Sequence, residues 1–320
     1  MYKVLGIIFL LLLPGQYAGA NPDLMMRIVG GNPAGQNAWP SVVALKTTAT
    51  GEILCGGNLI HPLWVLTAGH CITGEVSGLS YEYGTADLVV YAGAIGLDAP
   101  TGRYTPIQRI IVYPDYDGQI GANDLALIQL ASPLEGATMP IYAAPPAVGT
   151  TATVVGWGAT RISVANKMPG DYPRTLQQVS VPIVPNEVCN QTTSYNGRIR
   201  PTMLCAGYQQ GGRDACVGDS GGPLMVQQNG VFRQVGIVSQ GDGCAMPGKY
   251  GIYTRVANYA NWIQQYAPPP YAATAVASAA NPKALLGAGA MDVTNSWFYA
   301  ILTLLVGWRV WAVLGLSRNR

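Results

Sequence analysis

Two histidines in 320 residues narrow the search for a general base near neutral pH to His61 and His70, since imidazole is the side chain that titrates there unaided. His61 lies in Ile60-His61-Pro62, between apolar segments, and reads as an exposed turn residue. His70 follows the run Trp64-Val65-Leu66-Thr67-Ala68-Gly69, at the end of a buried strand. Taken alone, a histidine there more often serves structure than catalysis. Asp124 opens the apolar strand Leu125-Ala126-Leu127-Ile128. A carboxylate so placed must find donors, because an unpaired buried charge is costly; by itself it reads as a turn cap. The third group is far more specific: Asp214-Ala215-Cys216-Val217-Gly218-Asp219-Ser220-Gly221-Gly222-Pro223. Glycines on both sides of Ser220 let the backbone turn tightly and leave amide N–H groups open to a ligand. Two such groups aimed at one point stabilise an oxyanion.

The elements that hold these residues follow from composition. Forty Gly and 23 Pro, with Thr, Val and Tyr abundant, indicate many short strands and turns rather than long helices. At 49% hydrophobic and 11% charged, the chain buries enough surface to fold, which excludes disorder. The net charge of +2 lacks the cationic excess that nucleic-acid binding demands. Between Ile28 and Ala267 the balance reverses: 12 Lys and Arg stand against 14 Asp and Glu. No period of 20–50 residues repeats there, which excludes a solenoid. All six cysteines (Cys55, Cys71, Cys189, Cys205, Cys216 and Cys244) fall in this block. Their even number argues for disulfides, with many connectivities open. Zinc is the competing use, but no CxxC pair exists and histidine is scarce.

Only the two ends carry long apolar runs. Lys3, the apolar stretch Val4–Leu13 and the small-x-small site Ala18-Gly19-Ala20 predict a signal peptide over 1–20; the rival is an uncleaved anchor helix, for which the run is short. From Pro268 to Ser296 the chain is rich in Pro and Ala and reads as a linker. Trp297 to Leu316 predicts a membrane span, with Arg318 and Arg320 as its positive flank. Arg309 within it costs about 2.5–3.5 kcal/mol unless it snorkels to the nearer face. A lipid anchor attached near Gly287–Ala290 is the alternative. Either end places the protein in the secretory pathway, outside the cell or at its surface, membrane-associated through its tail.

The motifs then converge. Ile28-Val29-Gly30-Gly31, Leu66-Thr67-Ala68-Gly69-His70-Cys71, Asp124 in its apolar strand, Gly218-Asp219-Ser220-Gly221-Gly222-Pro223 and Tyr253-Thr254-Arg255-Val256 occur in this order across residues 28–267. In this the chain resembles the trypsin-like serine proteases of the chymotrypsin family. The resemblance implies an all-β fold of two Greek-key barrels packed side by side, a short helix near Asn258–Tyr266, and a site in the cleft between barrels. It implies the disulfides Cys55–Cys71, Cys189–Cys205 and Cys216–Cys244. Ser220 becomes the nucleophile, His70 the base and later the acid, and Asp124 the group that orients and stabilises the imidazole. The N–H groups of Gly218 and Ser220 become the oxyanion hole.

The same resemblance places Asp214 at the floor of a specificity pocket, beside Ala215, with Ser239, Gly241 and Gly251 along its walls. A buried carboxylate there selects a long cationic side chain. Trypsin carries Ser where this chain has Ala215, so the expectation is cleavage after Arg, with Lys weaker. Cutting after Arg27 frees Ile28, whose α-ammonium pairs with Asp219 and assembles the site; residues 21–27 are then an activation peptide and the uncut chain a zymogen. Arg27 also fits the expected specificity, so self-activation is an expectation. The partners implied are protein or peptide substrates with Arg or Lys at the cut, and protein protease inhibitors.

Four departures qualify the pattern. Gly69 replaces the usual Ala before the histidine, at a cost in rigidity. Gln240 replaces the usual Trp that walls the subsites beyond the pocket. The acidic calcium loop is not recognisable around Leu97–Arg103, so no metal and no cofactor is expected; Tyr250, where trypsin has Pro, hints at sodium. Asn190-Gln191-Thr192 offers Asn190 as a glycosylation site. The rival function is a protease-like binding module, but such a module typically loses a member of the triad, and here all three are present.

Overall fold

The computed structural model describes residues 28–136, 138–162 and 169–268. The expected signal, activation peptide and span, and the expected linker beyond Pro268, lie outside them. Among the described residues no helix is long and apolar enough to cross a membrane.

The first barrel closes six strands: β1 (Val42–Thr47), β2 (Ile53–His61), β3 (Trp64–Thr67), β4 (Leu88–Ala92), β5 (Arg103–Val112) and β6 (Ala126–Leu130), in the cyclic order β1-β2-β3-β6-β5-β4. The second contains β7 (Thr151–Gly156), β8 (Gln177–Val184), β9 (Met203–Ala206), β10 (Pro223–Gln228), β11 (Val231–Gln240) and β12 (Gly251–Arg255). Its cyclic order is β7-β8-β9-β12-β11-β10. The two orders are the same: each barrel runs three meandering strands, then crosses to pair its sixth strand with its third. All pairings are antiparallel, as two all-β Greek keys require.

The sequence supports these strands in two ways. In β8, Gln177, Val179, Val181 and Ile183 are buried while the residues between them are more exposed, the period of two that places one face inward. In β1 and β3 every residue from Val42 to Leu45 and from Trp64 to Thr67 is buried, because both faces are covered. The core of the first barrel includes Val43, Leu45, Val65, Leu127 and Ile128; that of the second includes Val154, Val181, Leu224 and Tyr253.

Three features join the barrels. The chain leaves β12 through a turn at Val256–Tyr259 and enters helix α1 (Ala260–Tyr266), whose Ile263 is buried in the core of the first barrel. Trp262 and Tyr259 meet the Tyr113 ring edge-on, with centroids 5.1 and 5.0 Å apart. Asn58 of β2 donates to Gln234 of β11 at 2.8 Å, in a fully buried bond. The Gly56 amide donates to the Ser220 carbonyl at 2.7 Å. The disulfides are Cys55–Cys71, which ties β2 to the turn after β3, Cys189–Cys205 and Cys216–Cys244.

Candidate active site

His70 and Asp124 come from adjacent strands of the first barrel. Chain leaving β3 winds into a single turn, Gly69–Cys71, which carries His70 outward. Asp124 sits just before β6, behind Asn123, whose φ of +54° reverses the backbone. Asn123 is fixed at both ends of its amide: its Nδ2 donates to the Asp115 carbonyl at 2.7 Å, and its Oδ1 accepts from Tyr259 Oη at 2.7 Å. Asp124 is thereby turned onto His70. Its Oδ2 accepts from His70 Nδ1 at 2.7 Å and its Oδ1 from the His70 amide at 2.8 Å.

Only 2% exposed, Asp124 is satisfied from both barrels. Ser239 Oγ donates to its Oδ2 at 2.5 Å, and Thr254 Oγ1 donates to its backbone carbonyl at 2.6 Å. Burial alone would push its carboxyl up; His70, Ser239 and the amide outweigh burial and hold it below the ordinary value. Burial alone would likewise lower the His70 imidazole, but the Asp124 charge and hydrogen bond leave it raised. His61 plays no part here: it ends β2 half-buried rather than standing in an exposed turn, and its Nδ1 accepts from the Leu63 amide at 3.2 Å.

Ser220 belongs to the second barrel and lies in the turn before β10. Asp219 donates its amide to the Cys216 carbonyl at 2.9 Å and the Gly222 amide donates to the Asp219 carbonyl at 2.9 Å. Gly218 and Gly221 have φ of +97° and +77°, a region side chains rarely enter. A Cβ on Gly221 would also come within 2.6 Å of the Gly56 carbonyl and 3.1 Å of Cys71 Sγ. The serine turn therefore packs directly against the histidine turn, and Cys71 Sγ is 4.0 Å from His70 Nε2. Among the described residues Ser220 Oγ makes no hydrogen bond, to His70 or otherwise; such contacts tighten when substrate binds. The amides of Gly218 and Ser220 likewise donate to no backbone acceptor among the described residues.

Beside Ser220 opens a cavity of about 210 Å³, lined by Asp214, Ala215, Ser239, Gly241 and Gly251 together with Tyr253. Asp214 is 4% exposed. Its Oδ2 accepts from the Ala245 amide at 3.1 Å, while its Oδ1 is buried without a partner. Burial pushes this carboxyl up to about 7 against the pull of the Ala245 and Ala215 amides. A Cβ on Gly251 would lie 2.6 Å from Asp214 Oδ1, so only glycine keeps the cavity open to its floor.

Asp219 is fully buried and accepts from Gly158 N at 2.8 Å and Cys216 N at 2.9 Å. Burial pushes it up to about 6 despite both donors. Ile28 is buried in the second barrel's core, and the Asp214 amide donates to the Val29 carbonyl at 3.1 Å. Arg27 lies outside the described residues. Both ends of the Asn190 amide are occupied: Nδ2 donates to the Ile199 carbonyl at 2.9 Å and Oδ1 accepts from its amide at 2.8 Å. The one described grouping of soft ligands, Cys55, His70 and Cys71, has both sulfurs in a disulfide and so lacks a thiolate for a metal.

Sequence reasoning missed several supporting residues. Tyr253 Oη lies at the pocket floor, buried and without a partner; its only signal was the Tyr253-Thr254-Arg255-Val256 string. Gly156 and Gly158 cradle Asp219, since a Cβ on either would come within 2.5 Å of its carboxyl group. Tyr81 Oη donates to the His70 carbonyl at 2.6 Å from an exposed hairpin.

Two antiparallel six-stranded barrels, with a histidine–aspartate pair on the first and a serine in a glycine turn on the second, define the two-barrel class of fold. The family model described as Trypsin matches residues 28–263. The chain belongs to the trypsin family: it is a trypsin-like serine protease domain, and its substrates are proteins.

Proposed function

We propose that the chain is a serine endopeptidase that cleaves after Arg, and less well after Lys, and that it is made as a zymogen cut after Arg27. The observation that carries this reading is Asp214, buried at the floor of a cavity whose lining includes Ser220. A guanidinium supplies that carboxylate with charge and two parallel donors. Ala215 offers no hydroxyl to complete the shell of a lysine ammonium, whereas the arginine fork needs none.

In the reaction Ser220 Oγ attacks the scissile carbonyl carbon and its proton passes to His70 Nε2. Asp124, ionised and bonded to Nδ1, stabilises the imidazolium. Charge on the carbonyl oxygen is received by the Gly218 and Ser220 amides. His70 then protonates the leaving amine, the acyl-enzyme forms on Ser220, and water repeats the sequence to release the acid. Cutting after Arg27 supplies a cation to Asp219, and the bond from Asp214 to Val29 links the new N-terminus to the pocket. The ends of the sequence favour an enzyme exported from the cell and held at its surface by the tail, where protein inhibitors are its expected regulators.

Matched Arg and Lys amide substrates, offered to the chain after cutting at Arg27, test this. Faster turnover of Arg supports it; equal or better Lys turnover refutes the preference. No turnover of either, with the disulfides intact, favours a protease-like binding module.

A further inference from the structure

We infer that a second cavity beside the Asp214 pocket takes an acidic side chain of the substrate, at the second or third residue before the cleaved Arg. This rests on the reading of the Asp214 pocket as the site of that Arg. The cavity has a volume of about 350 Å³ and shares Gln240, Gly241 and Ile252 with the pocket, so a chain leaving the pocket past Gly241 enters it.

Its walls combine the side chains of Ile120, Ile199 and Ile252 with a larger polar and positively charged share. Arg198 and Arg200 line it, and neither forms an ion pair among the described residues. Arg198 is held in place: its Nε donates to the Tyr195 carbonyl at 3.1 Å and its guanidinium lies 5.6 Å from the Tyr195 ring centre. The one acid in the lining, Asp242, is paired with Lys249 at 2.9 Å. Asp117, close by in sequence to Gln119, is not in the lining, and its Oδ1 accepts from the Gln119 and Ile120 amides at 2.9 and 3.4 Å. Gln240 replaces what would be a large apolar wall and lies against Gly121, where a Cβ would come within 2.7 Å of its Nε2. An apolar guest here would cover two guanidiniums and two amides without bonding them. A carboxylate would bond them and meet uncompensated positive charge.

The chain's own activation sequence, Leu24-Met25-Met26-Arg27, puts Met25 and Leu24 at these positions. The enzyme is therefore a poor activator of itself, despite Arg27.

The test uses chain cut after Arg27 and peptide amides ending in Arg, with Glu, Gln or Leu at the second or third residue before it. The Glu peptide should exceed the Gln peptide in kcat/KM by about fivefold at low salt, the scale of exposed ion pairs. The ratio should fall towards one at about 0.5 M salt, and in Arg198→Gln/Arg200→Gln. Equal kcat/KM for Glu and Gln, a better Leu peptide, or a ratio indifferent to salt would overturn the inference. Binding of the same peptides to Ser220→Ala reads the cavity without turnover. If Arg peptides are not cleaved but Glu peptides bind Ser220→Ala more tightly than Gln peptides, the proposed activity fails and this inference stands. If binding does not distinguish them, the inference fails. In the uncut chain, Met25→Glu should speed conversion by added active enzyme; an unchanged rate would overturn the inference.

Discussion

The buried carboxyl of Asp214 makes ligand affinity depend on pH in a calculable way. With its pKa near 7, half of the empty pockets carry a neutral carboxyl at neutral pH. A cationic guest binds the ionised form, so its apparent dissociation constant is the intrinsic one multiplied by one plus the ratio of proton concentration to the acid constant. The factor is about 1.1 near pH 8 and about 11 near pH 6, a tenfold loss of affinity worth about 1.4 kcal/mol. An ordinary carboxylate near 4 would give almost none. Benzamidine, a flat cation that fits such a pocket, is the probe, and calorimetry on Ser220→Ala is the assay. Near pH 7 binding should release about half a proton, read from buffers of different ionisation enthalpy. Asp124 raises the His70 imidazole above its ordinary value, so its protonation also changes with pH, and the measurement is repeated in His70→Gln/Ser220→Ala. Affinity that stays flat from about pH 8 to about pH 6 in that background would refute the reasoning.

Three further outcomes follow from the geometry. Gly251→Val fills the floor of the pocket, because its Cβ lies 2.6 Å from Asp214 Oδ1; kcat/KM on Arg amides should fall on the order of 10²-fold while a small phosphonate still labels Ser220. Asp124→Asn should lower kcat about 10⁴-fold. It also removes the charge that raises His70, so burial prevails and the acid limb of kcat/KM moves to lower pH, measured by initial rates. Asp219 has a folded-state pKa raised from 3.8 to about 6, so the folded uncut chain binds the proton more tightly than the unfolded chain. Its stability therefore falls as pH climbs from about 4 to about 6, by about 3 kcal/mol. Cutting after Arg27 supplies the ammonium and removes this loss, which urea unfolding of cut and uncut Ser220→Ala should show.

What the sequence displays best is chemistry confined to short strings. The run around Ser220 needs glycines at Gly218 and Gly221 because both have positive φ, and that need is visible residue by residue. The strand pattern of β8 is equally visible, since one barrel face is buried and the other is less so. Contacts made across the junction are different. Thr254 reaches the Asp124 carbonyl over 130 positions, and Ser239 reaches its carboxylate over 115; no local spacing encodes either. Ser239 reads as a pocket wall from the resemblance, and it also donates to the Asp124 carboxylate. Gly69 shows the same limit. Its absence of a side chain reads as lost rigidity, yet a Cβ there would come within 3.2 Å of the Tyr116 ring, which packs in the space.

The central claim is that Ser220 is a nucleophile activated by His70 in a chain opened at Arg27. A fluorophosphonate reports this directly, because it bonds covalently to an activated serine and marks it by mass. One label per cut chain, on Ser220, is predicted, with greatly slowed labelling of uncut chain or of His70→Ala. Label on another residue, or none on the cut chain with its three disulfides intact, would contradict the account.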